Sequence, residues 1–315
     1  MSDVTAGGGG GRVVPPHRFG RELSPRLLGV VMNLPTLLIL ALVLAYPIYY
    51  AGYLSMHRVT LVQLRTGVFP FVGFDNYLKV LEDPLFLLSL TNTLLFTAFT
   101  VISEVVLAVM IAILINQQDI WTSRITRFLI LLPYAVPPIA NGLIWSFIYN
   151  GKLGFLNRLL YSVGAIDSPI DWTANPDTAL YAVAVPYIWR TLPFAILLVH
   201  AALQGISKEL FEAASVDGAG AWHRFRHITL PLIMPVIVVL LVLRTSFAVA
   251  VFDEILAITQ GGPGDATWVA SWYSYKKGFA PPFDIGAGAA SAFLLALLVA
   301  TLAFIYIKLL YRRVD

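Results

Sequence analysis

The sequence contains no cysteine. Disulfides, thiolate nucleophiles and thiolate metal sites are therefore excluded together. Charge is scarce as well. Asp, Glu, Lys and Arg make up 12% of the 315 residues, against about 25% in a soluble domain. The basic residues form no patch interleaved with aromatics, so the net charge of +3 does not point to nucleic acid. A nucleotide loop is missing too. Gly151-Lys152 has Ser146 where the first glycine of a Walker A loop belongs, and no Lys-Ser/Thr follows Gly261-Gly262-Pro263-Gly264, which reads as an external turn. The run Gly7–Gly11 has no strand before it and reads as part of a flexible tail. Neither His-Glu-x-x-His nor a Ser/His/Asp set at matched depth appears. His223 and His227 stand four apart, but they lack a third ligand, and Arg224 and Arg226 repel a cation, so no metal site is expected.

What remains is apolar: 58% of the chain. A helix needs about 20 apolar residues to cross a hydrocarbon core. Six segments meet that length: Gly29–Tyr53, Phe86–Ile115, Phe128–Tyr149, Thr178–Leu203, Leu230–Ile258 and Gly286–Leu310. The first is too long for a cleaved signal's apolar region and lacks its small-x-small exit. The expectation is an all-α integral membrane protein with six transmembrane helices. Residues 1–28 form an N-terminal tail and 29–315 the membrane domain.

Basic residues orient it. Arg12, Arg18, Arg21, Arg26, Arg124, Arg127, Lys208, Arg224, Arg226, Lys308, Arg312 and Arg313 share one side. Arg58, Arg65, Lys79, Lys152, Arg158, Lys276 and Lys277 share the other, in longer loops that hold most of the carboxylates. Both termini are expected in the cytoplasm. Tyr46, Tyr49, Tyr50, Tyr53, Trp145 and Tyr149 crowd outer helix ends, where aromatic belts form. Pro133, Pro137, Pro138, Pro186 and Pro193 fall inside spans, where neighbours can satisfy the carbonyls they free.

The longest cytoplasmic connection is then about 204–229, between spans four and five. Ser207 is placed to cap a short helix over Lys208–Val216, with Glu209 in its first turn. Asp217-Gly218 breaks that helix, and a second runs over about Ala219–Ile228. The helix–turn–helix carries small residues (Ala213, Ala214, Ala219) beside Phe211, Trp222 and Phe225. Two readings fit: docking into a groove on a partner protein, or lying passively at the lipid interface.

The pattern Glu212-Ala213-Ala214, Gly218, Ile228, Leu230-Pro231 resembles the EAA signature of binding-protein-dependent ATP-binding-cassette permeases. Asn92-Thr93-Leu94, Leu132-Pro133-Tyr134, Ile188-Trp189-Arg190-Thr191, Phe252-Asp253, Thr259 and Gly261-Gly262-Pro263-Gly264 resemble the maltose and trehalose branch. The likeness covers roughly Gly29 to Arg313. It implies a permease subunit of a sugar importer in a bacterial inner membrane. The implied partners are a second homologous permease, two cytoplasmic ATPases that use ATP and Mg, and an external substrate-binding protein. This chain would bind no cofactor. Glu212, Ala213, Ala214, Asp217, Gly218, Trp222, Phe225 and Pro231 would couple it to an ATPase. Glu212 would make the electrostatic contact and Gly218 the turn.

Glu104, Arg190 and Arg244 lie near the middle of spans two, four and five. A charge at that depth costs about 2.5–3.5 kcal/mol even on lenient scales, so each requires a partner. Glu104 is expected to pair with Arg190 or Arg244, either to lock helices or to line a pathway. Asn92, Asn141, Trp145, Trp189, Arg190, Arg244, Phe252, Asp253 and Tyr273 are the candidate pathway residues, each also compatible with plain packing. Glycerol-3-phosphate or another anionic solute stays open as substrate. A secondary transporter is disfavoured by the missing internal repeat.

Overall fold

The computed structural model describes residues 24–117 and 119–310. Arg12, Arg18, Arg21, Arg312, Arg313 and the glycine run lie outside the described residues. Contacts divide the chain into two units, residues 1–50 and 51–315.

The first unit is built on helix α1 (Leu27–Ser55), which runs on into the second. Helical structure starts at Pro25, inside the segment read as tail, because Ser24 caps it: its Oγ accepts from the Leu27 N–H at 3.3 Å. A π-helical stretch at Ala41–Ala45 precedes Pro47. That proline has no N–H to give the preceding turn. The apolar side chains from Leu27 to Tyr50 are exposed, the condition of a helix meant for lipid or another protein.

The second unit begins with α2 (Leu61–Thr66) and α3 (Asp75–Glu82). Its centre is α4 (Pro84–Asn116), α8 (Pro176–Gln204) and α10 (Ala221–Val249). Between α4 and α8 come α5 (Trp121–Ala135), α6 (Pro138–Ile148) and α7 (Phe155–Ser162). After α10 follow α11 (Asp253–Ile258), α12 (Ala270–Phe279) and α13 (Ile285–Leu310). Two apolar clusters run along the centre. One joins Ala108, Ile115, Ala195, Val199, Ile233 and Leu240. The other gathers Phe96, Val183, Tyr187, Ile255 and Trp272. Val80, Phe86, Tyr273 and Ala287 form a third, against α13.

Helices α1, α4, α8, α10 and α13 are long and apolar enough to cross a membrane, and α5 with α6 makes a sixth crossing if the pair is counted as one. The pair meets at 94°. The third span is thus not the straight helix expected over Phe128–Tyr149. Pro137 and Pro138 remove two consecutive N–H donors, and Val136 before them takes an extended conformation. The fifth span differs as well. It was expected to reach Ile258, but the helix ends at Val249 and Ala250–Phe252 are not helical before α11.

Inside α8, Pro186 cannot donate to the carbonyl of Ala182, one turn earlier. Tyr149 supplies the missing bond, its hydroxyl donating to that carbonyl at 2.9 Å. Tyr149→Phe should therefore leave a buried acceptor unpaired and cost about 1–3 kcal/mol. A lowered melting temperature of the detergent-solubilised protein checks this, and an unchanged one contradicts it.

Candidate functional site

The loop after α8 is organised locally. Helix α9 (Lys208–Val216) forms with the predicted bounds and the predicted cap, Ser207 Oγ accepting from the Glu209 N–H at 3.2 Å. It ends where Gly218 takes φ +78°, a left-handed conformation that costs glycine nothing. The Ala219 N–H closes the turn on the Ala214 carbonyl at 2.8 Å. The second loop helix, expected over about Ala219–Ile228 and leading into Leu230-Pro231, joins the fifth span as one helix. It starts at Ala221 and continues through a π-helical stretch at Phe225–Thr229 into α10. No breaker stands between Trp222 and Leu230, and Pro231 sits in the first turn of the regular helix, where its missing N–H does least harm.

A side-chain bridge clamps the two arms. Arg224 Nη1 donates to Ser215 Oγ at 2.7 Å, and Ser215 Oγ donates to the Phe211 carbonyl at 2.6 Å. Phe225 packs inward, onto the cluster shared by α4, α8 and α10. Trp222 stays 70% exposed beside it, ring centroids 5.5 Å apart. Glu212, Ala213, Asp217, Gly218 and Pro231 are exposed, and Ala214 is half-buried. Glu212 has no ion-pair partner among the described residues. A rigid turn thus presents an unpaired carboxylate, small residues and one indole outward. His223 and His227 stack on each other with centroids 4.0 Å apart.

The second constellation lies among α4, α8, α10 and α11. Glu104 is fully buried and pairs with Arg244, not with Arg190. The contact is two-pronged: Arg244 Nε donates to Glu104 Oε2, and Nη2 to Oε1 at 2.9 Å. Thr191 Oγ1 adds a donor to Oε1 at 2.6 Å. Arg190 turns to Glu254, a residue the sequence reading had passed over, donating from Nε at 3.1 Å and Nη2 at 2.9 Å to Oε1. The ring of Tyr187 separates the two pairs, with the guanidinium carbons 5.9 Å (Arg190) and 5.7 Å (Arg244) from its centroid. Gly142 lets α6 close on α11: a Cβ there would stand 2.5 Å from that of Ala257.

The remaining candidates divide by role. Asn92 is scaffold: its amide donates to the carbonyls of Ala266 (3.2 Å) and Trp268 (2.9 Å). Thr93 next to it accepts the Ala270 N–H at 2.8 Å, capping the start of α12. Tyr273 is buried too, its hydroxyl donating to Asp83 at 2.8 Å. At Asp83, burial pushes the carboxyl pKa up, but Lys277, Tyr273 and the Leu85 N–H outweigh this and hold it below its ordinary value. Phe252 packs against Trp272 and Tyr275. Asp253 is half-buried at the start of α11. Asn141 donates to the Pro186 carbonyl at 3.1 Å with its own Oδ1 unpartnered, and Trp145 and Trp189, the latter next to Arg190 in sequence, have ring centroids 6.1 Å apart.

Residues 104–315 match the profile of the family described as binding-protein-dependent transport system inner membrane component. The chain is 36% identical over 282 residues to the trehalose/maltose transport system permease protein MalF of Thermococcus litoralis, covering 89% of this chain and 92% of the relative. It is 34% identical over 293 residues to the sulfoquinovosyl glycerol transport system permease protein SmoG of Agrobacterium fabrum, covering 92% of each. Its fold is similar to that of a chain in the crystal structure of a bacterial alginate ABC transporter in complex with an alginate pentasaccharide-bound periplasmic protein. That match has a TM-score of 0.77 and 21% identity, over 91% of this chain and 95% of the other.

Proposed function

The chain belongs to the family of binding-protein-dependent transport system inner membrane components, and from that premise we propose that it is a permease subunit of an ATP-driven sugar importer. The substrate is a disaccharide or related glycoside, handed over by an external binding protein. The chain pairs with a second homologous permease in a bacterial inner membrane, surrounded by lipid and with both termini in the cytoplasm. Two cytoplasmic ATPases use ATP and Mg. This chain binds neither and catalyses no reaction.

One observation carries the reading: the clamped turn at 207–225, with Glu212 exposed and unpaired beside Gly218. A helix face with small residues and one free carboxylate suits a groove on a partner with a complementary cation. Because α10 is continuous with the second arm of the turn, a displacement of the docked turn is passed on as a rigid-body movement of a spanning helix. That is how closure of the ATPase pair reaches the ion-paired region around Arg244 and Arg190. The name of the trehalose/maltose relative supports the sugar assignment.

The test is reconstitution with the neighbouring transport genes. ATP hydrolysis is measured with and without a panel of sugar-loaded binding proteins. Stimulation by one loaded protein is expected. A complex whose hydrolysis ignores every member of the panel, or a chain that purifies without ATPase and second permease, overturns the assignment.

A further inference from the structure

The importer reading leaves open whether the solute carries charge, and the following rests on that reading. Two arginines stand in the interior of α8 and α10, and an arginine in a membrane interior is the residue expected in an anion pathway. Here both are already occupied. Arg244 spends Nε and Nη2 on Glu104, and Arg190 spends Nε and Nη2 on Glu254. The second pair is the informative one. Glu104 and Arg244 are almost wholly enclosed, whereas the Arg190 side chain is 15% exposed and reaches accessible space. Glu254 is 2% exposed and lies behind it. Half-buried Asp253 adds another negative charge rather than a positive one.

We propose that Glu254 makes this region selective for uncharged solutes. From within the protein it occupies the Nε/Nη2 edge of the guanidinium and balances its charge. An incoming phosphate or sulfonate would have to displace a carboxylate already held by two charge-assisted hydrogen bonds, with a second carboxylate at Asp253 in the same stretch. Apart from Asp253, the groups beside the pair that lack hydrogen-bond partners are neutral. Tyr187 Oη and Asn141 Oδ1 are buried without partners, and the Trp189 ring is exposed one residue from Arg190. Hydroxyls and an apolar sugar face match such groups, and an anion does not. Short α11 is what puts Glu254 there. It starts anew after the break that ends α10 and is seated closely by Gly142.

The experiment uses the assembled complex and inorganic sulfate as the anionic probe, read by tryptophan fluorescence and by sulfate protection against heat. Glu254→Gln frees the Arg190 guanidinium without changing its size. The expected result is an apparent sulfate affinity at least about tenfold higher than wild type, returned to the wild-type level in Arg190→Gln/Glu254→Gln. Equal sulfate response in all three proteins, or a wild type that already binds as tightly as Glu254→Gln, overturns the proposal. If Glu254→Gln cannot be recovered in sulfate-free buffer, recovery in sulfate supports the proposal, and failure in both buffers while the double variant is recovered overturns it. Sugar-stimulated ATP hydrolysis by the wild-type complex is measured in parallel. Its absence refutes the importer reading, whatever sulfate does.

Discussion

Gly218→Val should abolish most ATP-driven uptake while leaving the protein in the membrane. At φ +78° a β-branched side chain costs about 1–2 kcal/mol or more through clash with its own backbone. No neighbouring atom lies within 4 Å of the added Cβ, so the cost is confined to the turn. The turn would relax to a negative φ, and α9 would swing relative to Ala221 and break the Arg224–Ser215 clamp. Uptake is expected to fall at least about tenfold, which is little more than 1 kcal/mol of lost coupling. Glu212→Ala should act in the same direction without touching the fold, because Glu212 is exposed and has no ion-pair partner among the described residues. Gly220→Ala is the control. Gly220 has an ordinary φ of −67° and open space around it, so uptake should stay near wild type. The measurement is transport in vesicles normalised to recovered complex. Wild-type uptake by Gly218→Val would remove the coupling role from this turn.

Glu104→Gln should be among the most damaging single changes to stability. It leaves Arg244, itself buried, without its counter-charge, at a cost of about 3–5 kcal/mol. Removing both charges is a different matter. Glu104→Gln/Arg244→Met deletes the desolvation cost of both ions, and such replacements are often neutral or better. Thr191 is not stranded by the change, because its hydroxyl also lies 2.6 Å from the Tyr187 carbonyl. Recovery of monodisperse protein after detergent extraction should therefore be poor for the single variant and near wild type for the double. A double variant as poorly recovered as the single would mean that the pair does more than balance charge.

The two constellations were legible to different degrees, for a physical reason. Everything that shapes the turn at 207–225 is close in sequence. A serine cap, a glycine that tolerates positive φ, and an alanine-rich first arm act through contacts a few residues long, so helix α9 reads directly from the chain. The second arm leads into α10 where the sequence offers no stop signal. The ion pairs are another matter. Span depth alone brought Glu104, Arg190 and Arg244 to one level, and so required a partner for each. It could not choose between the two arginines, since depth fixes height along a helix and not the direction a side chain faces.

Glu254 shows the limit most clearly. Ala248, Val249, Ala250 and Val251 continue the apolar run without Gly or Pro, so nothing in the sequence marks the end of the helix before Glu254. The break at Ala250–Phe252 ends that run, and Glu254 meets Arg190, 64 positions away in sequence. For Asn92 and Tyr273 the sequence left both a pathway role and plain packing open. A polar side chain in an apolar span looks like a ligand contact until the carbonyls it holds, or the carboxylate it binds, come into view.

Membrane residence, the number and rough extent of the spans, and the shape of the α9 turn follow from composition, run length and short-range capping. Each depends only on the solvent a segment tolerates and on bonds within a few residues. Which arginine meets which glutamate, where α10 stops, and which polar groups are scaffold depended on helices distant in sequence coming into contact. A buried charge specifies that a partner must exist, and only the packing of the chain specifies which one it is.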